Sequence, residues 1–307
     1  MKPFGIYQCL DGEQMTDRDK IEVGSKFWNK GKWDNFVLPL LPEDASEKTL
    51  IDIGCNKGLF LYLAKEHGFK RAIGVDSNEE AINKGIEWRD KHGEDYELIW
   101  KKMEECVDDL PMADYTILAN THYYFTINDW LDYLDKLEHK TCFTIIVTAE
   151  KHHKQLCWAS ADPFDINGYF KSWYKCTTTI DPLPTEGDPM PRKLWSMCFS
   201  SKRLRRAKLE NIRSHNSMKN GFFDEIGRGV PYKQTKYYSV LKPYRKRWTE
   251  GMLNRWFEER VRVFEDVKKN GFKRPIYVNS EGLILDGNHR FEMAKALGHK
   301  SVIVRDV

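Results

Sequence analysis

Short apolar runs alternate with amphipathic stretches through the first two thirds of the chain. Apolar runs bounded by turn residues are typical of buried strands, and apolar residues three and four apart are typical of helices. The pattern predicts strands at 49–53, 72–76, 96–100, 114–120, 142–150, 174–181 and 193–201, and helices at 58–68, 78–93 and 126–140. The last two strands suit a hairpin. Strands that alternate with helices pair in parallel, so we expect an α/β fold with a doubly wound, mostly parallel seven-stranded sheet.

The flanking segments have other patterns. Residues 1–47 precede the first strand, and KFWNKGKWDNF at 26–36 predicts a helical flank or lid with partly exposed tryptophans. Residues 202–251 are predicted to be a basic, irregular connector with one helix at about 202–212. A second, small α+β domain is predicted at 252–307, after the domain at 48–201. Its predicted elements are helices at 253–271 and 289–298 and strands at 274–279, 283–287 and 301–307.

Composition narrows the class of protein. With 31% charged and 13% aromatic residues, the 307-residue chain is ordinary for a soluble globular protein. No apolar run approaches the roughly 20 residues that cross a bilayer, and the N-terminus lacks a secretory signal pattern. The seven cysteines are scattered without a C-x-x-C pair. We therefore expect reduced thiols, a cytoplasmic location, and neither a disulfide framework nor a zinc ribbon.

Charge is unevenly distributed. Residues 201–248 contain 14 Lys or Arg and 3 Asp or Glu, a net charge of +11, whereas the whole chain carries +3. A basic block in a nearly neutral chain is typical of a segment that contacts nucleic acid or another polyanion. A solvated linker would show the same composition, so both interpretations stay open.

The glycine turn in IDIGCNKGLF follows the first strand. In open α/β sheets such turns hold ligands, and a dinucleotide site requires G-x-G-x-x-G. Here Asp52 lies in the strand, two residues before Gly54, where it would repel a pyrophosphate. It suits a ligand with an ammonium group and no phosphate, such as S-adenosylmethionine. Asp76, at the end of the second strand, can accept hydrogen bonds from both ribose hydroxyls.

Together, IDIGCNKGLF and AIGVD resemble motifs I and II of the class I S-adenosylmethionine-dependent methyltransferases, which have a Rossmann-like fold. The resemblance covers about residues 26–200. Asn56 departs from it, because many members have glycine there, but asparagine tolerates positive φ. The cofactor-binding residues that the resemblance implies are Asp52, Gly54, Cys55, Asn56, Gly58, Asp76, Ser77, Met103, Glu104 and Asn120.

The same resemblance implies that the run NTHYYF, from Asn120, lies beside the departing methyl group. Similar runs occur in methyltransferases that act on sugars, small metabolites or tRNA wobble bases. A hydroxyl or protonated nitrogen acceptor needs a base, and we predict His122 and Tyr123 as catalytic residues. His152 and His153 are the second choice for the base. Sequence leaves the acceptor open among a sugar, a small metabolite and a nucleic-acid base.

A second motif, LILDGNHRFEMAKALG, lies near the C-terminus. Free N–H groups at the predicted helix start and the Arg290 guanidinium predict an anion site. The stretch from about residue 252 resembles the ParB/sulfiredoxin-like fold, whose members bind nucleoside triphosphates. By that resemblance, Asp286, Asn288, His289 and Arg290 would face phosphates, with Mg²⁺ as a further ligand. A docking module of the same shape without chemistry is the alternative.

These features predict a methyltransferase that uses S-adenosylmethionine, with a C-terminal domain that binds a nucleoside triphosphate. One alternative is a nucleic-acid-binding or nucleotide-gated module whose methyltransferase fold only recognises ligand. The other is a bifunctional methyltransferase and kinase.

Overall fold

The computed structural model describes residues 10, 27–121, 127–149, 174–184, 193–214, 221–244 and 248–307. The chain divides into two compact units. The first contains Met1–Asp109 and Ala113–Lys202, and the second contains Leu110–Met112 and Arg203–Val307.

A seven-stranded sheet forms the centre of the first unit. Its strands are β1 (Thr49–Ile53), β2 (Arg71–Asp76), β3 (Glu97–Trp100), β4 (Ala113–Ala119), β5 (Thr141–Ala149), β6 (Tyr174–Pro184) and β7 (Lys193–Ser201). Their order is β3-β2-β1-β4-β5-β7-β6, with β1 to β5 parallel and β7 antiparallel to both of its neighbours. The predicted α/β fold with a mostly parallel sheet is confirmed.

One helix, α1 (Phe27–Lys32), precedes β1. The helices that connect the parallel strands are α2 (Leu59–Glu66), α3 (Glu79–His92), α4 (Met103–Cys106) and α5 (Ile127–Glu138). The Asn78 side chain caps α3 by accepting a hydrogen bond from the Ala81 N–H, and Gly93 ends the helix at φ +69°. Because the strands are parallel, the carboxyl ends of β1, β2 and β4 share one edge of the sheet, where the glycine turn lies.

The segment before β1 belongs to the core of the first unit. After α1 the chain continues as a wide helical turn, Trp33–Val37, in which Trp33, Phe36 and Val37 are buried. The Trp33 ring lies 5.6 Å from that of Phe60. The prediction of a partly exposed tryptophan is therefore wrong for Trp33, whose large ring packs on α2. The side chain of Trp28 lies outside the described residues.

A four-stranded mixed sheet and helices form the second unit. The strands are β8 (Leu204–Lys208), β9 (Ile276–Val278), β10 (Ile284–Asp286) and β11 (Ser301–Asp306), in the order β10-β9-β11-β8. The helices are α6 (Phe222–Gly227), α7 (Lys236–Tyr244), α8 (Glu250–Asn270) and α9 (Asn288–Ala296). Strand β11 runs parallel to β9 and antiparallel to β8.

The segment predicted to be an irregular connector is instead part of this unit. Where a helix was predicted at about 202–212, β8 pairs with β11 from Leu204 to Lys208. Leu204 and Ala207 are both buried, and their three-residue spacing imitated a helix although they lie on opposite faces of a strand. Farther along, α6 buries Phe222 and Phe223 in an aromatic core shared with α8.

No helix in the described ranges is both long enough and apolar enough to cross a lipid bilayer.

Candidate functional site

The turn between β1 and α2 is tied to the end of β2. The N–H groups of Gly54 and Cys55 both donate to the Val75 carbonyl oxygen, at 2.8 and 3.1 Å. Gly54, Asn56 and Gly58 have positive φ, at +81°, +51° and +90°. The asparagine that departs from the methyltransferase pattern thus takes the left-handed conformation its position requires.

Gly54 is required for a second reason. A Cβ atom at this position would overlap the Thr121 methyl group, which belongs to the residue two after the end of β4. A side chain at position 54 would therefore clash sterically and would also strain a backbone at positive φ. The end of β4 consequently approaches the backbone of the turn very closely.

Two further glycines let neighbouring elements pack against the turn. A Cβ at Gly74, in β2, would lie 2.6 Å from the Cys55 Sγ. A Cβ at Gly85, inside α3, would lie 2.5 Å from the Lys57 carbonyl oxygen. Sequence reasoning missed both positions, because each glycine lies inside a regular element and its partner is distant along the chain.

Asp52 is a buried carboxyl group just ahead of the turn, with 2% of its surface exposed. Burial, and then the charge of Asp76, raise its pKa from 3.8 to about 8. The acid is therefore mainly protonated at neutral pH, and a cation placed beside it would favour its ionised form. Burial also raises the pKa of the Cys55 thiol, followed in effect by the two carboxylates, so this cysteine is not a thiolate nucleophile.

Asp76, at the end of β2, accepts backbone hydrogen bonds from the turn and from the start of α3. Its Oδ2 accepts from the Asn56 N–H and its Oδ1 from the Asn78 N–H, both at 2.8 Å. Burial raises the pKa of Asp76, and the N–H groups of Asn78, Asn56 and Ser77 oppose that rise. A carboxylate has about four acceptor positions, so Asp76 can accept a further hydrogen bond from a ligand. The structure thus brings Asp52 and Asp76 together around one turn.

The other predicted cofactor residues lie near the same edge of the sheet. Ser77 is exposed, and its carbonyl oxygen accepts from the Trp100 Nε1 at 3.3 Å. Met103 is buried at the start of α4, where the Glu104 side chain lies outside the described residues. Asn120 has φ +57°, and its N–H donates to the Val147 carbonyl oxygen at 2.9 Å.

The predicted catalytic residues fall outside the part of the chain that the structure describes. This applies to His122 and Tyr123 and to the second choice, His152 and His153. Their roles stay predictions.

Two side chains near the turn received no individual role from the sequence, although Thr121 belongs to the NTHYYF run. Thr121 is 2% exposed, and its Oγ1 has no hydrogen-bond partner in the described structure. Trp100, at the end of β3, is 56% exposed. The sequence holds no local signal for the burial of Thr121, because that burial depends on its approach to Gly54.

The second predicted site, in the second unit, is partly assembled. Asp286 and Arg290 form an ion pair at 2.6 Å at the start of α9, and the Arg290 Nη1 donates to the Pro275 carbonyl oxygen. The Ser214 hydroxyl donates to the Asn288 Oδ1 at 2.7 Å. The His289 ring makes edge-on contacts with Phe223 and Trp256. These groups already have partners within the protein.

One group of side chains on the last turn of α5 has the composition of a metal site. Ligand atoms of Asp135, Glu138 and His139 lie within 4.8 Å of one another, with Glu138 buried and the other two exposed. Exposed acidic groups are common without an ion, so this geometry alone does not define a metal site.

One family model matches part of the first unit. Residues 27–166 match a family model described as a methyltransferase domain, which covers slightly less than half of the chain. The chain therefore contains a methyltransferase domain, and the predicted enzyme class is confirmed. No curated protein matches the sequence.

Several solved structures are similar to the chain at low sequence identity. The protein PH0226 from Pyrococcus horikoshii OT3 is 13% identical, covering 58% of this chain and 92% of its own, with a TM-score of 0.44. The bifunctional kinase-methyltransferase WbdD is 20% identical, covering 65% and 44%, with a TM-score of 0.45. Magnesium protoporphyrin IX methyltransferase (ChlM) from Synechocystis PCC 6803, with bound S-adenosylmethionine, is 15% identical, covering 62% and 87%, with a TM-score of 0.47. TM-scores this low do not establish a shared function.

Proposed function

We propose that the protein transfers a methyl group from S-adenosylmethionine to an acceptor bound at the carboxyl ends of β1 and β4. The observation that carries the proposal is the buried Asp52 beside Asp76 on a glycine turn. A buried acid whose pKa is about 8 suits a ligand that carries an ammonium group, and it disfavours a pyrophosphate.

The residues present fit this cofactor. Asp52 would hold its ammonium group, the backbone from Gly54 to Gly58 would lie against it, and Asp76 with Ser77 would hold the ribose. The remaining part of the cofactor would be bordered by Met103, Glu104 and Asn120. S-adenosylmethionine supplies an electrophilic methyl group on a sulfonium. Because positive charge disappears during the transfer, the site has to orient the two reactants more than it has to stabilise an anion.

The acceptor in this proposal is a sugar, a small metabolite or a nucleic-acid base. His122 would take the proton that the acceptor releases, with Tyr123 beside it. An imidazole has a pKa suited to that step near neutral pH.

Calorimetric titration with S-adenosylmethionine tests the proposal. We expect the wild type to bind and Asp52→Asn to bind at least about tenfold more weakly, because it loses a charge-assisted hydrogen bond. Asp114→Asn is the matched control. Asp114 is equally buried, but its Oδ2 accepts from the Thr49 N–H at the opposite end of β1. An absence of heat with the wild type would remove the proposal.

For the second unit we infer a ParB-like domain that binds a phosphate-bearing ligand, with a nucleoside triphosphate and Mg²⁺ as the first choice. The support is the helix start at α9, where Gly287 has φ +101° and a Cβ on it would lie 3.1 Å from the Arg290 Nε. Titrating a fluorescent ATP analogue with Mg²⁺ against wild type and Arg290→Ala tests this inference. No binding by the wild type would favour the docking module.

A further inference from the structure

Thr121 is a buried polar side chain whose hydroxyl has no hydrogen-bond partner among the residues that the structure describes. It lies two residues after the end of β4 and is 2% exposed, and its Oγ1 has no hydrogen-bond partner in the described part of the chain. A buried hydroxyl without a partner is costly, and valine, which has the same shape, would avoid that cost. The hydroxyl is therefore available to a partner other than the described residues.

The position of Thr121 in the fold indicates where a partner of its hydroxyl would lie. β4 runs parallel to β1, with Leu118 opposite Ile53, so both chains leave the sheet at the same edge. Asn120 then turns the chain through a left-handed conformation at φ +57°. The Thr121 side chain consequently lies against Gly54, at the place where a Cβ on that glycine would be. Asp52 is two residues before this contact.

We propose that the Thr121 hydroxyl hydrogen-bonds the amino-acid end of the methyl donor, a ligand part with an ammonium and a carboxylate. The inference rests on the proposed function, because it assigns a residue to the same site. A hydroxyl can accept from the ammonium or donate to the carboxylate, and Asp52 supplies the negative group beside it. Thr121 thereby becomes a positioning group for the donor, whose partner arrives with the ligand.

Thr116 provides a matched control for this test. It lies on the same strand, is fully buried, and its Oγ1 likewise has no hydrogen-bond partner among the residues described. Thr116 lies three residues before the end of β4, and its strand neighbour is Ile51, not the turn. Both Thr121→Val and Thr116→Val remove an unsatisfied hydroxyl, so both are expected to keep or raise the thermal stability of the ligand-free protein. Only Thr121→Val should weaken the binding of the ligand.

The test is calorimetry with S-adenosylhomocysteine, which keeps the amino-acid end, and with 5′-methylthioadenosine, which lacks it. For Thr121→Val we expect affinity for S-adenosylhomocysteine to fall by about tenfold, the effect of losing one hydrogen bond to a charged group. Thr121→Ser should retain most of the affinity. Thr116→Val should bind S-adenosylhomocysteine as tightly as the wild type does. The affinity for 5′-methylthioadenosine should not change in any of these variants.

The outcomes separate the two claims. If the wild type binds neither compound, the proposed function fails. If the wild type binds S-adenosylhomocysteine and Thr121→Val binds it equally well, the Thr121 inference is wrong while the function stands. An equal loss for both compounds would also overturn it, because the contact would then lie outside the amino-acid end. If Thr121→Val does not fold, Thr121→Ala replaces it in the test, with the same two compounds and the same expected results.

Discussion

Ionisation of Asp52 opposes folding. Its pKa in the folded protein is about 8, against a reference value of 3.8 in the unfolded chain. Between these two values the folded state keeps a proton that the unfolded chain releases. The free energy of unfolding therefore falls as pH rises through this window, and the penalty is constant above it.

We accordingly expect Asp52→Asn to stabilise the ligand-free protein. At pH 7 the gain in the free energy of unfolding should be roughly 1 to 4 kcal/mol, and it should vanish near pH 3, where the folded and the unfolded carboxyl are both mainly protonated. Urea unfolding at a series of pH values measures the difference. Asp114→Asn should instead destabilise the protein, because its carboxylate accepts from the Thr49 N–H. A less stable Asp52→Asn at pH 8 would contradict the prediction.

At the residue scale, the sequence was informative where the chemistry is local. Asp52, Gly54, Asn56 and Gly58 lie within seven positions of one another, and the conformation of such a turn follows from those residues. Thr121 was placed only as part of the NTHYYF run, without a role of its own, because its burial arises only when β4 lies beside β1. The roles of the cofactor residues stay predictions until binding is measured.

At the scale of the element, Gly85 is a glycine inside a helix. Alanine is normally better there by about 1 kcal/mol. A Cβ at this position, however, would lie 2.5 Å from the Lys57 carbonyl oxygen and 2.8 Å from the Leu98 Cδ1. We expect Gly85→Ala to lower the free energy of unfolding by about 1 to 3 kcal/mol, because α3 must move away from the turn.

The control for that variant is Gly251→Ala in α8. The nearest atom to a Cβ there is the Thr249 Oγ1, at 4.0 Å, so the helix-propensity effect should act alone. We expect no loss of stability, and a gain of up to about 1 kcal/mol. Denaturant unfolding of both variants checks the pair. If Gly85→Ala and Gly251→Ala gained equally in the free energy of unfolding, α3 would not pack rigidly on the turn.

Whole elements were predictable in proportion to the strength of their pattern. Strands β1 to β5 and β7 contain apolar runs, and these strands and the threonine-rich β6 were all assigned from the sequence. The strand β8 was not, because LRRAK has only two apolar residues and a helical spacing between them. Its strand conformation depends on pairing with β11, which lies about a hundred residues later.

For the whole molecule, the charge separates with the two units. Residues 203–307 contain 24 basic and 12 acidic residues, a net charge of +12 against +3 for the chain, so the remainder carries −9. If the acceptor or partner is a nucleic acid, we expect binding of labelled single-stranded RNA to weaken at least about tenfold between roughly 50 and 200 mM salt.

Fluorescence anisotropy measures that dependence. Affinity for S-adenosylhomocysteine, which has no phosphate, should change little over the same range and serves as the control. Absence of RNA binding at low salt would leave a small molecule as the acceptor.

From the sequence, the first domain was expected to end at residue 201 and the second to begin at residue 252, whereas the second compact unit already begins at Arg203. β7 ends at Ser201 and β8 begins at Leu204, so only Lys202 and Arg203 join the two sheets. A gene fragment that starts at residue 252 would delete β8 and leave one side of β11 without its neighbour. An unpaired strand edge can pair with strands of other chains, so we expect the shortened polypeptide to aggregate on expression. A polypeptide that starts at Arg203 retains β8, which covers that edge of β11.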